Sequence, residues 1–369
     1  MDSRQTLENN EEFKKALTDE DLYFSKDKNG DWWFHERIHD GWGQSIRVDG
    51  FKLHQFTGLQ KLAVFYNKKL GHVMVLDGAV QIAEENWREY QENLAASVIL
   101  PQYDDPTQSI EVLIIGGGDG GVATVTRQLF PQANITMIEI DAGVVAAAKS
   151  YLPTISESLR VPHNKFNLII GDGIKFVADT ANHNKYAAII VDCTDPCDGG
   201  PAVGLFGTSF QGNLKKCLIK NGIVIQQSGT LDMQLDEVKQ TVEMMKGFYK
   251  YPFVLPVNML TYPGTMALVG GSDLNIRDID RDMFQKRFAD THKLDGKTSS
   301  FKPDIFLASL NNLPPIHQSW LNNMLSPPHT IDLKSFAGTP HAFTSRMSTA
   351  MTPTNDHLQI EARKRKGPQ

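Results

Sequence analysis

Glu111-Val112-Leu113-Ile114-Ile115-Gly116-Gly117-Gly118-Asp119-Gly120-Gly121 is the stretch on which the reading of this chain turns. Val112 to Ile115 has the length and β-branched content of a buried strand. The run stops in five glycines interrupted once, by Asp119, and an apolar, helix-compatible stretch, Val122 to Phe130, follows. Strand, glycine turn and helix in that order open a doubly wound α/β fold. Gly116, Gly118 and Gly121 supply a Gly-x-Gly-x-x-Gly spacing, which is weak by itself. Asp119 sharpens it. Such a turn offers bare N–H groups to a pyrophosphate. A carboxylate in its middle would repel that anion and hold a cation instead. The loop therefore predicts a nucleoside site with a positively charged tail. The competing explanation is a tight turn with Asp119 capping the helix.

Working outward, strands and helices alternate on the C-terminal side of the loop. The pattern predicts strands at 135–140, 166–170, 187–191 and 222–227. Helices are predicted at 142–151, 208–219 and 232–248, and a closing hairpin over 253–270. Alternation of this kind gives a mostly parallel sheet covered on both faces. Upstream, 89–99 reads as a helix. Residues 30–88 read as a small antiparallel β domain, with Leu76-Asp77-Gly78-Ala79 as a hairpin turn. The domain expectation is a polar, frayed N-terminus (1–29), a β domain (30–88) and a Rossmann-like domain (89–325). A disordered tail (326–369) follows, where Pro, Ser, Thr and His replace apolar periodicity.

Composition limits the function classes. The chain has 369 residues, 41% hydrophobic and 22% charged, the make-up of an ordinary globular protein. A net charge of −6 offers no basic field for nucleic acid or an anionic membrane. No apolar run is long enough to span a bilayer, and the polar start does not resemble a signal peptide. Cys193, Cys197 and Cys217 form no disulfide framework and have no partners at zinc-like spacing. A cytoplasmic protein with no metal is expected.

In open α/β sheets, ligands bind beyond the carboxyl ends of the strands. Four successive predicted strands end in acids there: Asp119; Glu139 and Asp141; Asp172; and Asp192 with Asp195. A single acid at such a place is commonly a helix cap. Four around one crevice repel each other unless a cation joins them. Glu139 and Asp141 stand where an acid holds ribose hydroxyls, and Asp172 could accept from an adenine amino group. The crevice should bind an adenosine derivative with a cationic tail and a second, cationic partner. A sulfonium nucleoside carries its own leaving group, and an attacking amine needs a carboxylate to take its proton.

With those residues in hand, the chain resembles the spermidine synthases, the polyamine aminopropyltransferases, in their bacterial-like branch. The resemblance runs from about Trp33 to Trp320. It covers Trp33-Phe34-His35-Glu36, Val75-Leu76-Asp77-Gly78 with Gln81, Tyr90-Gln91-Glu92 and the glycine loop. It continues through Ile138-Glu139-Ile140-Asp141, Gly171-Asp172-Gly173, Asp192-Cys193-Thr194-Asp195-Pro196, Gln227 and Thr261-Tyr262-Pro263. The resemblance implies aminopropyl transfer from decarboxylated S-adenosylmethionine, a co-substrate and not a resident cofactor, to putrescine. It implies that Glu139 binds the ribose and Asp172 with Gly173 the adenine. Gln60 and Gln91 would line the nucleoside site. Asp119 would hold the aminopropyl ammonium with Asp192, which is also the base, helped by Tyr90. Asp195, Tyr262 and Trp33 would shape the putrescine end. The family forms homodimers or homotetramers. His35, His54 and His72, with no nucleophile motif beside them, are read as surface or core histidines.

Three features depart from the pattern. Ala83-Glu84-Glu85-Asn86 lacks one expected acid. The loop after Asp195 is two residues longer and resembles the thermospermine synthase form. The tail has no counterpart. A longer acceptor, giving spermine or thermospermine, is therefore one alternative. An amine N-methyltransferase is another, although Asp119 would face its cofactor's carboxylate. A non-catalytic nucleoside or polyamine sensor is a third, opposed by Asp192 and Tyr90.

Overall fold

The computed structural model describes residues 7–194, 202–262 and 264–325. The expectations for Asp195, for the longer loop after it and for the 326–369 tail lie outside the described residues.

Two small antiparallel sheets come first. One orders β1 (Tyr23–Lys26), β2 (Trp32–His39) and β3 (Trp42–Arg47). The other orders β4 (Gly50–Phe56), β5 (Lys61–Asn67), β6 (Gly71–Leu76) and β7 (Ala79–Ala83). The turn between β6 and β7 has Asp77 at φ 47° and Gly78 at φ 82°. Both central residues are left-handed, which matches the twist of a two-residue hairpin and is what Asp-Gly permits.

The N-terminal segment differs from the expectation of a frayed 1–29. A helix spans Glu11–Ala16, capped by the Asn10 side chain accepting from the Phe13 N–H, and β1 follows. Its anchor is Phe13, fully buried, with ring centroids 5.2 Å from Trp32 and from Phe51. Burying one such ring contributes about 1.5–3 kcal/mol, which offsets the ordering of a short polar helix. Asp19 ties the segment down further, accepting from Lys61 Nζ at 2.8 Å and lying 2.8 Å from His54 Nε2.

The large sheet carries seven strands in the order β10-β9-β8-β11-β12-β14-β13. These are β8 (Ile110–Gly116), β9 (Ala133–Glu139), β10 (Phe166–Ile170), β11 (Tyr186–Asp192), β12 (Leu218–Thr230), β13 (Tyr251–Asn258) and β14 (Thr265–Ser272). The neighbours from β10 to β12 run parallel, while β14 is antiparallel to both β12 and β13, closing the sheet as a hairpin. The central strands are buried throughout, Val112 to Ile115 and Tyr186 to Val191 alike. That explains why they read as unbroken apolar runs. The chain winds outward from β8 to β10, then returns to place β11 on the other side of β8. The order therefore reverses between β8 and β11, and a crevice opens at their carboxyl ends. Among the described residues no helix is long and apolar enough to cross a membrane.

Candidate active site

The glycine loop is fitted to the end of β11. Gly116 pairs with Asp192 across the parallel ladder, and the Gly117 N–H donates to the Asp192 carbonyl at 2.7 Å. Gly116 has φ +83°, and a Cβ there would lie 2.0 Å from the Asp192 carbonyl oxygen. No other residue type fits without moving β11. At Gly118 a Cβ would come 2.9 Å from Glu139 Oε2. Backbone and carboxylate thus meet at contact distance.

The cleft above this loop is bordered by the sites named from sequence: Gln60, Tyr90, Gln91, Asp119, Glu139, Asp172, Gly173, Asp192 and Tyr262. Asp192 accepts a 2.7 Å hydrogen bond from the Tyr90 hydroxyl on Oδ1. Its Oδ2 is buried and has no hydrogen-bond partner among the described residues, and the same holds for Gln91 Oε1. Asp119 accepts from the Gly121 N–H at 2.6 Å. Glu139 accepts from the Asp141 N–H at 2.7 Å.

The capping explanation holds for part of the acid set. Asp141 caps the helix Ala142–Tyr151 through Oδ1, and Asp172 caps the helix Gly173–Ala178 through Oδ1. Asp141 uses its other oxygen to anchor the turn between β4 and β5, accepting from Thr57 Oγ1 at 2.6 Å and Gln60 Nε2 at 2.9 Å. Asp192 caps no helix among the described residues; its carboxylate is turned to Tyr90 and the cleft.

Trp33 is a correction: it is not on the cleft wall. Phe34 and Glu36 point inward on β2, so Trp33 faces the opposite side, and its indole N–H donates to Asp27 Oδ2 at 3.3 Å. His35, His54 and His72 also lie away from the cleft, bonded to Ser25 and Ser45, to Asp19 and to Glu84 respectively. Where the sequence lacks an expected acid, Asn86 adopts a left-handed φ of 58° before the helix Trp87–Ile99, and Glu85 and Asn86 both border the cleft.

The charge balance is one-sided. Among the described residues the cleft is lined by Glu85, Asp119, Glu139, Asp172 and Asp192, and by no Lys, Arg or His. Burial raises the Asp119 carboxyl well above the usual carboxylate range, and the Asp192 and Glu139 charges add to it. Burial lifts Asp192 as well, against the pull of the Tyr90 hydrogen bond. Glu139 is pushed up to about 7, by burial first and then by the neighbouring Asp141 and Asp192 charges, although the Asp141 N–H opposes the rise. The Tyr90 hydroxyl is raised by burial and by Asp192 beside it. Carboxyls raised in this way bind protons more tightly than usual, and a cation beside them favours their ionised form. Among the described residues no group of three or more His, Cys, Asp or Glu is placed to hold a metal ion.

Comparison with known proteins points to one family. Residues 88–275 match the family model described as the spermine/spermidine synthase domain, and 32–84 the one described as the spermidine synthase tetramerisation domain. The chain belongs to the spermine/spermidine synthase family. It is 37% identical over 259 residues to the polyamine aminopropyltransferase of a Ruegeria species, covering 70% of this chain and 88% of that one. The Pectobacterium carotovorum polyamine aminopropyltransferase is 34% identical over 279 residues, covering 75% and 93%. A spermidine synthase solved with the transition-state analogue AdoDATO superposes with a TM-score of 0.71 at 22% identity, covering 84% of this chain and 99% of that one. The Thermotoga maritima spermidine synthase superposes with a TM-score of 0.69 at 22% identity, covering 79% and 94%. These two establish the shared fold. The family match and the relatives at 34–37% identity make the chain an aminopropyltransferase.

Sequence reasoning missed some contributors to this synthase cleft. Thr57 holds Asp141, and Met259 to Thr261 build a wall beside Tyr262. The wall sits in the β13–β14 hairpin, for which the sequence offered Thr261-Tyr262-Pro263 and the hairpin expected over 253–270.

Proposed function

We propose that this aminopropyltransferase moves the aminopropyl group of decarboxylated S-adenosylmethionine to putrescine, giving spermidine and methylthioadenosine. The observation that carries this is the cleft lined by five acids with no basic side chain among the described residues. Both proposed substrates are cationic, and both answer that charge. Glu139 takes the ribose hydroxyls, and Asp172 with Gly173 the adenine edge. Asp119 holds the ammonium of the transferred group. The acceptor enters on the Tyr262 side.

An amine protonated at pH 7 has no lone pair to attack with. Asp192 Oδ2 takes its proton, while the Tyr90 hydroxyl occupies Oδ1 and fixes the carboxylate plane. The nitrogen pair then attacks the methylene carbon next to the sulfonium. The C–S bond breaks, its electron pair returns to sulfur, and a neutral thioether leaves. Positioning and charge complementarity supply the rate enhancement, with no resident cofactor proposed. The match of 32–84 to a tetramerisation domain supports a homodimer or homotetramer as the working form, and the composition supports a cytoplasmic one.

Turnover with decarboxylated S-adenosylmethionine tests this, comparing putrescine with spermidine as acceptor and following methylthioadenosine. Putrescine should be the better acceptor. Preference for the longer amine would replace spermidine formation by spermine or thermospermine formation.

A further inference from the structure

Gln44 lies on β3, away from the lining of the cleft, yet it touches the loop that builds one of the cleft's walls. Its Nε2 group donates to Glu36 Oε2 at 2.5 Å and to the Thr261 carbonyl oxygen at 2.6 Å. Glu36 is 3% exposed, and its other oxygen accepts the Val80 N–H at 2.7 Å. Val80 adjoins Gln81, and Thr261 adjoins Tyr262; both neighbours border the cleft. Tyr262 is close enough to Tyr90 to help raise its hydroxyl.

A primary amide suits this place. It carries two N–H donors at a fixed angle, one for a carboxylate and one for a carbonyl. Glu36 is fixed by the β7 backbone, so the amide is oriented at one end and the hairpin carbonyl is held at the other. A bond of this kind to a buried carboxylate is stronger than one between neutral groups. The Trp33-Phe34-His35-Glu36 motif thereby acquires a task at Glu36, where its first residue has none in the cleft.

We infer that Gln44, oriented by Glu36, is a positioning residue for the acceptor amine. It fixes the Met259–Tyr262 wall, and hence Tyr262, relative to Tyr90 and Asp192. This rests on the reading of that end of the cleft as the acceptor side.

The test replaces Gln44 by Leu and, as a milder change of similar length, by Met, and measures both substrates separately. The acceptor KM should rise about tenfold with kcat within about threefold, the pattern of lost binding and not of lost chemistry. Calorimetric affinity for the nucleoside should not move. Glu36→Gln, which turns an acceptor of the Gln44 amide into a donor, should give the same split. Combined with Tyr262→Phe, Gln44→Leu should raise the acceptor KM less than the product of the two separate effects, because both act on one wall. Combined with Glu139→Gln, the effects should multiply. A lowered melting temperature with an unchanged acceptor KM, or an equal loss of affinity for both substrates, overturns the inference. A wild-type enzyme that transfers nothing to any amine overturns the acceptor reading and this inference together. An active wild type with unaltered Gln44 variants overturns this inference alone.

Discussion

Tyr90 and Asp192, 102 residues apart in the chain, meet through a 2.7 Å hydrogen bond from the phenol to Oδ1. The helix after the β domain delivers one partner and the end of β11 the other. Their meeting leaves the second oxygen of Asp192 buried and open to a ligand. Tyr90→Phe removes a hydrogen bond that pulls the Asp192 carboxyl down. The acidic limb of the rate profile should therefore move to higher pH, and turnover at neutral pH should fall about tenfold, within the range general acid–base groups contribute. Steady-state rates between pH 5 and 9 report both.

Asp192→Asn keeps the shape and removes the proton acceptor. Turnover should drop roughly 100-fold or more with the melting temperature retained or raised, since a buried charge has been removed. Single-turnover assays beside thermal melts check it. Near-normal turnover would move the base elsewhere.

The glycine loop and the acids at the strand ends were legible because each closes a short apolar run bounded by turn residues. Val112–Ile115 and 187–191 have the length and β-branched content of buried parallel strands, whose carboxyl ends share a crevice. The N-terminal helix was missed because its single large anchor, Phe13, sits among charges. Asn10 as cap, Glu11 and Glu12 in the first turn, and Lys14 and Lys15 in the last were the signals present. Trp33 was misplaced because strand alternation decides its face, and Phe34 with Glu36 had already claimed the inner one. The Gln44 contact could not be read at all, since its partner lies 217 residues away on a hairpin tip.

Phe13→Ala should cost about 3–5 kcal/mol of stability, the usual loss for a fully buried ring. Denaturant unfolding measures it. A change under about 1 kcal/mol, the scale of a surface substitution, would mean the N-terminal helix does not pack on β4 in solution.

Asp141→Ala strips a helix cap and the anchor of the β4–β5 turn at once. It should destabilise by about 2–4 kcal/mol, and Thr57→Val by about 1 kcal/mol, from the hydrogen bonds lost. The same unfolding experiment ranks the two.

The raised acids fix the sign of the pH dependence. Glu139 titrates at about 7 in the fold but at about 4.3 in an unfolded chain. Its stabilising contribution is full below about pH 4 and is lost as pH rises through 7. Asp119 shifts in the same direction. The ligand-free protein should lose melting temperature between pH 6 and 8. Bound cation and ribose hydroxyls favour the ionised acids, so binding should release protons, and the stabilisation by ligand should be larger at pH 8 than at pH 6. Calorimetry in buffers of different ionisation enthalpy counts the protons. Proton uptake on binding would reverse the assignment.

The central claim is that the cleft acids, led by the partly buried Asp119, select a nucleoside whose tail is a bare ammonium. The most direct test is the calorimetric affinity of the wild-type protein for decarboxylated S-adenosylmethionine against S-adenosylmethionine itself. The carboxylate of the latter would lie against Asp119, replacing attraction by repulsion at a cost of a few kcal/mol. The decarboxylated form should bind about 100-fold tighter or more. Equal affinities would contradict the account.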